Sequence, residues 1–396
     1  MAAHSHFSVG DTWFQSFREG YNPDAASIFR ESDAICDENG DLDGFVISSH
    51  KMRDRLELLG IDIASTANAF NHGYAETSED YRPESFDFTA WLEDAKASVS
   101  DSGDFDFGVD ADWIDYAVDI RYVIRAVIEI YDDDVPVIWN LADVIGRGFV
   151  SPDPRLCEIE LERNQGATVA VFPVIVLTEG STDAAFLSGA LSVIYPHLID
   201  FLKFMDFGIG AEGGAGALIR TLKSFAASGV ANRVIAIFDN DTAASDALSA
   251  LSSPLPPGFR VLRYPDIDIA RKYPTIGPTG QEVLDVNGRA GALELYFGED
   301  VLKDPSGALT PVQWTGYSKK QNAYQGELLE KVRLQKAFRR KLDTAMSRGN
   351  VLPDEDWSGM VAILDCIRRA FQSSPARPSQ SSAKLVSERH SERRAK

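Results

Sequence analysis

The sequence predicts an α/β protein. A mostly parallel sheet flanked by helices stands at its centre, an α+β domain precedes it, and a helical, basic segment follows. Three observations lead there. Short apolar runs alternate with helical patterns between about residues 170 and 264, as in parallel strands buried on both faces. The cluster Ser151-Pro152-Asp153-Pro154 separates them from an acidic, turn-rich half. Beyond residue 330, Lys and Arg outnumber Asp and Glu.

Taken in order, residues 1–46 mix aromatic stretches with Asp, Asn and Gly turns. Ser48-Ser49 opens an expected helix, with Met52, Leu56 and Leu59 on one face and Gly60 placed to end it. The acidic stretch SDSGDFDFGVDAD, 100–112, reads as a loop. Ile120, Val123, Ile124, Val127, Ile128 and Tyr131 share one helical face, which Asp132-Asp133-Asp134 terminates. After the Pro cluster, 157–161 and 169–177 read as strands, 182–195 as a helix and 208–216 as a Gly-rich loop. A helix over 217–228 and strands over 233–238 and 259–264 complete the alternation. Residues 325–347 and the segment around Trp357, Met360, Val361, Leu364 and Phe371 read as helices, and from Ser373 the Pro/Ser/Arg-rich composition predicts disorder. The expected domains are 1–150, 155–310, 311–372 and a tail at 373–396.

The chain has 396 residues, enough for two to three cores. Its three cysteines, Cys36, Cys157 and Cys366, form no CxxC pair, which argues against a disulfide framework or a cysteine zinc site. The longest apolar run, Val169–Leu177, contains Pro173 and falls short of the roughly 20 residues a membrane helix needs. The first residues lack the basic and apolar regions of a signal peptide, so a cytoplasmic protein without a membrane partner is expected. Net charge is −21, distributed as −23 over 1–170, −6 over 171–330 and +8 over 331–396. Such a chain does not coat nucleic acid nonspecifically, but it can bind it through a local basic patch or a metal.

Open α/β sheets bind ligands at the C-terminal ends of their strands. Two acidic motifs lie there: VIVLTEGSTD, with Glu179-Gly180 and Asp183, and VIAIFDNDTA, with Asp239 and Asp241. Either alone is an ordinary turn or helix cap. Together, each after an apolar strand, they suggest carboxylates gathered around a cation, since close carboxylates repel without one. Oxygen ligands without Cys or a suitable His suit Mg2+ or Mn2+. Glu294, in ALELYF, is a further candidate ligand, or else a solvent-facing acid on an amphipathic helix. Lys331 could contact phosphate, or form a helical i,i+4 pair with Glu327. Lys336, Arg339, Arg340 and Lys341 could touch phosphates from one helix. No GxxxxGK[ST] motif occurs, so no P-loop ATPase is expected.

These motifs resemble the Toprim domain of topoisomerases, bacterial primases and OLD-type nucleases. The likeness spans about 155–300: strand-Glu179-Gly180, the Gly-rich GAEGGAGALIRTL, and strand-Asp239-x-Asp241. EGSTD is more similar to the OLD-nuclease branch, and by that resemblance Asp183 is implied in metal binding. The whole chain also resembles bacterial HEPN/Toprim-associated proteins through FVISSHKMRDRLELLG, DIRYVIRAVIEIYDDDVPVIWNLADVIGRGFVS, DVNGRAGALELYFGEDVL, PVQWTGY and YQGELLEK. That likeness implies a setting in anti-phage defence. No His follows an Arg at the spacing of HEPN ribonucleases, so that active site is not expected.

The implied activity is metal-dependent phosphodiester cleavage, on DNA ahead of RNA. Glu179, Asp239 and Asp241 are the catalytic candidates. Glu179, Asp183, Asp239, Asp241 and Glu294 are the candidate ligands, and Gly180 and Lys331 the candidate phosphate or substrate contacts. A nucleotidyl- or phosphoryl-transfer enzyme and a partner-activated sensor subunit remain as alternatives. A protein partner from the same defence system and self-association also stay open.

Overall fold

The computed structural model describes residues 2–102, 112–163, 173–205, 213–249, 251 and 254–372. The expected disordered tail, 103–111 of the expected acidic loop, 169–172 of the expected strand and 208–212 of the Gly-rich loop lie outside them. The chain divides into two compact units, Met1–Cys157 with Phe371–Lys396, and Glu158–Ala370. Among the described residues no helix is long and apolar enough to cross a membrane.

The first unit is built on a five-stranded antiparallel sheet. Its strands are β1 (His4–Val9), β2 (Thr12–Arg18), β3 (Ala34–Cys36), β4 (Leu42–Ser48) and β5 (Pro136–Asn140), in the order β2-β1-β5-β4-β3. Helices α1 (Ser49–Leu58), α2 (Ile63–Glu76), α3 (Phe88–Ser102), α4 (Asp112–Ala117) and α5 (Ile120–Ile128) stand between β4 and β5 in sequence. Five residues of the six-residue apolar stripe fall in α5, which starts at the Asp119 cap and buries Ile120, Val123, Ile124, Val127 and Ile128; the helix ends at Ile128, so Tyr131 lies beyond it. Trp139 of β5 is fully buried and stacks on Phe7 and Phe45 at 5.5 and 5.4 Å. The short helix α6 (Ala142–Gly146) follows β5.

Residues 157–161, expected as a strand, instead lie in α7 (Leu156–Arg163). The alternation of Glu with Ile and Leu imitates a strand period, but the Glu, Leu and Arg residues favour helix, and Arg163 closes onto Glu160 at 2.7 Å, one turn back.

The second unit has a four-stranded, wholly parallel sheet: β6 (Val174–Leu177), β7 (Leu202–Phe204), β8 (Val234–Phe238) and a later strand, Phe259–Arg263. The chain runs from β6 into α8 (Ser181–Ile194), and from β7 to α9 (Ala215–Ser228) and β8. Every residue of β8, VIAIF, is buried, as expected for a central strand covered on both faces. A two-residue strand, β9 (Asn240–Asp241), and α10 (Thr242–Leu248) follow, before β10 (Phe259–Arg263). The sheet order is β10-β8-β6-β7.

A second sheet in this unit is mixed. It contains β11 (Tyr273–Gly277), β12 (Gly280–Leu284) and, after β13 (Ala290–Gly291) and α11 (Glu299–Leu302), the hairpin β14 (Val312–Ser318) and β15 (Ala323–Leu328). Residues 325–328, expected as helix, belong to β15. Their partner is β14, joined by a turn in which Asn322 adopts a left-handed conformation (φ 51°). The basic helix α12 (Lys331–Arg348) begins only after this hairpin, and α13 (Ser358–Arg368) closes the unit.

Helices α8 and α12 lie side by side and run the same way. Phe186 of α8 meets Phe338 of α12 edge-on at 5.4 Å, and Gly189 faces Leu342 one turn further along both. Phe338 also stacks on Phe297 at 4.1 Å. The N-terminal ends of α8 and α12 therefore sit at the same end of this layer.

Candidate functional site

That shared end is where the acidic motifs converge. Chain direction explains it: β6 and β8 are neighbouring parallel strands, so residues just beyond their C-terminal ends share one edge of the sheet. Glu179 leaves β6 and Asp239 leaves β8. The Asp239 N–H donates to Glu179 Oε1 at 3.0 Å. Asp183 stands on the first turn of α8.

Glu294 arrives by a different route. Gly291 of β13 pairs with Asn240 of β9 so closely that a Cβ there would lie 2.6 Å from the Asn240 carbonyl oxygen. Only glycine permits that approach. The chain then enters the turn Leu293–Tyr296, in which Glu294 is buried, and Glu294 Oε1 accepts a hydrogen bond from Gln335 Nε2 of α12 at 2.7 Å. The expected alternative of a solvent-facing acid on an amphipathic helix is not what forms. Lys331, the first residue of α12, completes the approach. Glu327 lies in β15, so the helical i,i+4 pair with Lys331 does not form.

The electrostatics follow from this crowding. Burial, then the charges of Glu294 and Glu179, raise the Asp183 carboxyl to about 7, with the Gly180 N–H and Lys331 pulling the other way. Asp239 is pushed well above the usual carboxylate range by burial and by Glu179, Asp183, Asp241 and Glu294. Glu179 is raised by burial and by Asp241, against the opposing N–H groups of Asp239 and Ala215. Asp239 Oδ1 is sealed from solvent without a hydrogen-bond partner. Carboxylates from three chain segments thus act on the Asp239 carboxyl in a poorly solvated place.

Asp241 behaves differently from Asp239. Its Oδ1 caps α10 by accepting from the Ala244 N–H at 2.7 Å, and its Oδ2 accepts from Gln325 Nε2 of β15 at 2.8 Å. Gln325 is held in turn by the Ala243 N–H, at 2.9 Å to its Oε1. Asn240, between the two acids, points elsewhere and bonds Asp266 and Arg263, each at 2.8 Å. Gly180 has extended backbone at the start of α8, and its N–H supports the Asp183 carboxylate.

The structure therefore brings Glu179, Asp183, Asp239, Glu294 and Lys331 together and sets Asp241 at the margin, both oxygens engaged. Among the described residues, no three His, Cys, Asp or Glu side chains form a ready metal cage. Three contributors escape sequence reasoning. Gln325 and Gln335 are neutral residues whose partners lie 84 and 41 positions away. Tyr264, fully buried after β10, has its hydroxyl pushed well above its usual range by burial and then by Asp183, Asp239 and Glu179. The only available signal was that Gln325 falls within the YQGELLEK segment.

Comparison with protein families gives a match in the first part of the chain. Residues 1–165 fit the family model described as HEPN/Toprim N-terminal domain 1. The first unit is thus similar to a domain associated with HEPN/Toprim proteins, and the match supports a nuclease-related role. No curated protein and no solved structure matches the chain.

Proposed function

We propose that the second unit carries a Toprim-type, metal-dependent nuclease centre that hydrolyses phosphodiester bonds of nucleic acid, DNA ahead of RNA. One observation carries this reading: burial and the charges of Glu294 and Glu179 raise the Asp183 carboxyl, and burial with Glu179, Asp183, Asp241 and Glu294 raises that of Asp239, whose Oδ1 is buried and without a partner. A fold has no structural use for such repulsion, and a divalent cation relieves it. The donor set is all oxygen and fits Mg2+ or Mn2+ in kind. Asp183, Asp239 and Glu294 would hold the ion, with Glu179 and Asp241 at its border. When bound, the ion supplies Lewis-acid neutralisation of charge on the phosphoryl oxygens.

The chain's own residues do the rest. Glu179, whose proton is retained to higher pH than usual, accepts or delivers a proton at the attacking or leaving oxygen. Lys331 orients the phosphate and opposes the charge that develops on it. Gln325 and Gln335 fix Asp241 and Glu294, so that these acids do not swing as substrate enters. The match of residues 1–165 supports a place beside other HEPN/Toprim proteins, and an anti-phage setting in bacteria extends that reading.

The test is cleavage of labelled single- and double-stranded DNA and RNA with Mg2+, Mn2+ or EDTA. The expected result is cutting that EDTA stops and that Asp239→Ala and Glu179→Ala each reduce by about a thousandfold or more. Cutting that survives both substitutions overturns the assignment. A folded protein inert on every substrate moves the reading to the partner-activated subunit.

A further inference from the structure

We propose that the exposed face of α12 is the track along which the phosphate backbone of a nucleic acid leaves the carboxylate centre. The proposal rests on the nuclease reading and names the surface that would hold its substrate.

The first support is charge. In a chain of net charge −21, the 18 residues of α12 carry seven Lys or Arg and one acid, Asp343. Structure then sorts these cations, which the sequence could not. Lys341, expected to touch phosphate, is buried: its Nζ donates to the Phe297 and Asp356 carbonyls and to Asp300 Oδ1, at 3.2, 2.6 and 2.9 Å. Arg333 pairs with Glu330, and Arg348 with Glu355. Lys336, Arg339 and Arg340 remain on the outer face, all exposed.

The second support is position. Residues three and four apart share a face of a helix. Lys331, Gln335 and Arg339 therefore form one row, and Lys336 and Arg340 the row beside it. The first row starts inside the centre, where Lys331 acts on Asp183 and Gln335 holds Glu294. It ends with the Arg339 guanidinium 5.3 Å from the ring centre of Phe186, on the helix that carries Asp183. Eight residues of helix span about 12 Å, a length over which one strand of a duplex carries a charge every roughly 3.4 Å of its axis. A strand whose scissile phosphate sits at Lys331 thus meets Lys336, Arg339 and Arg340 in turn. A polyanion fits such a row; a neutral or basic partner does not.

The experiment measures binding apart from cleavage. Anisotropy of labelled DNA and RNA oligonucleotides is recorded against NaCl concentration in EDTA, using the full chain, Lys336→Glu/Arg340→Glu, and the control Lys203→Glu/Lys272→Glu. The control makes the same charge change at two exposed positions elsewhere in the unit. The α12 variant should bind at least tenfold more weakly and lose about one unit of log–log salt slope per contact removed, about two in all. The control should keep the original slope. Equal losses in both variants, or none in either, overturn the proposal, as does a wild-type chain that binds no nucleic acid. If binding follows α12 but no condition yields cleavage, the track stands and the nuclease reading falls. If cleavage occurs with a salt slope indifferent to α12, the reverse holds.

Discussion

The buried charges of the first unit and the carboxylate cluster of the second are handled in opposite ways. In the first, Arg55 is almost wholly buried and forms a two-pronged pair with Asp33, while a third donor reaches the Ile28 carbonyl at 2.9 Å. Arg125 of α5 bonds Glu129 one turn on at 2.7 Å, and the buried Asp62 caps α2 through the Ser65 N–H. In the second unit, by contrast, Glu179, Asp183, Asp239 and Glu294 confront like charge. Matched burial is what folding alone selects. Mismatched burial destabilises, and this is what supports the proposal of a site there.

The sharpest way to break this comparison is to unmatch one pair and match one cluster. Arg55→Ala leaves the Asp33 carboxylate buried without its cation and should cost about 3–5 kcal/mol of stability, read by urea unfolding. Asp239→Asn removes one of the opposed charges and should raise the melting temperature of the metal-free protein, by about 1 kcal/mol in stability. If the proposed site binds Mn2+, the ion should shift the wild type's melting upward by binding the native state, and Asp239→Asn should abolish that shift. If Asp239→Asn destabilises as Arg55→Ala does, the two kinds of burial are not different after all.

The contrast was only half legible in the sequence. EGSTD and FDNDTA each follow an apolar strand, so their convergence could be read from the rule that parallel strands end together. Glu294 was visible as a candidate, but its short turn has no periodicity, and its burial depends on Gly291 seating against Asn240. The separation of Asp241 from Asp239 could not be seen, because it depends on a hairpin 84 residues downstream supplying Gln325. Lys341 looked like its neighbours on α12 until the packing around Phe297 and Trp357 sealed it. In each case the pattern gave the local element, and a tertiary partner decided what the side chain does.

A smaller effect sharpens the role of the two glutamines. Gln325→Leu and Gln335→Leu each remove the donor that holds an acid, leaving the acid itself in place. We expect a fall in kcat of about tenfold with KM little changed, and weaker Mn2+ stabilisation in thermal melts, in line with the usual loss when a supporting partner of a ligand is removed. Asn or His at these positions should restore part of the loss only if the amide acts by donation. Unchanged metal response in both Leu variants would show that the carboxylates hold themselves.

The smallest effect tests the matched side by pH. Burial alone would raise the Glu129 carboxyl, but Arg125, with Arg53 and Lys96 behind it, outweighs burial and holds it below its ordinary 4.5. A carboxyl lowered in the folded state stabilises above its unfolded value, and that contribution is lost as pH falls through the folded one. Glu129 is 30% exposed, so water and salt screen the pair and its worth is about 1 kcal/mol or less. Glu129→Gln should therefore be less stable than wild type at pH 7, with the gap closing as pH drops below about 4.5. A gap that stays constant from pH 7 to pH 3 would mean the residue acts through packing, and the charge match at α5 would lose its place in the comparison.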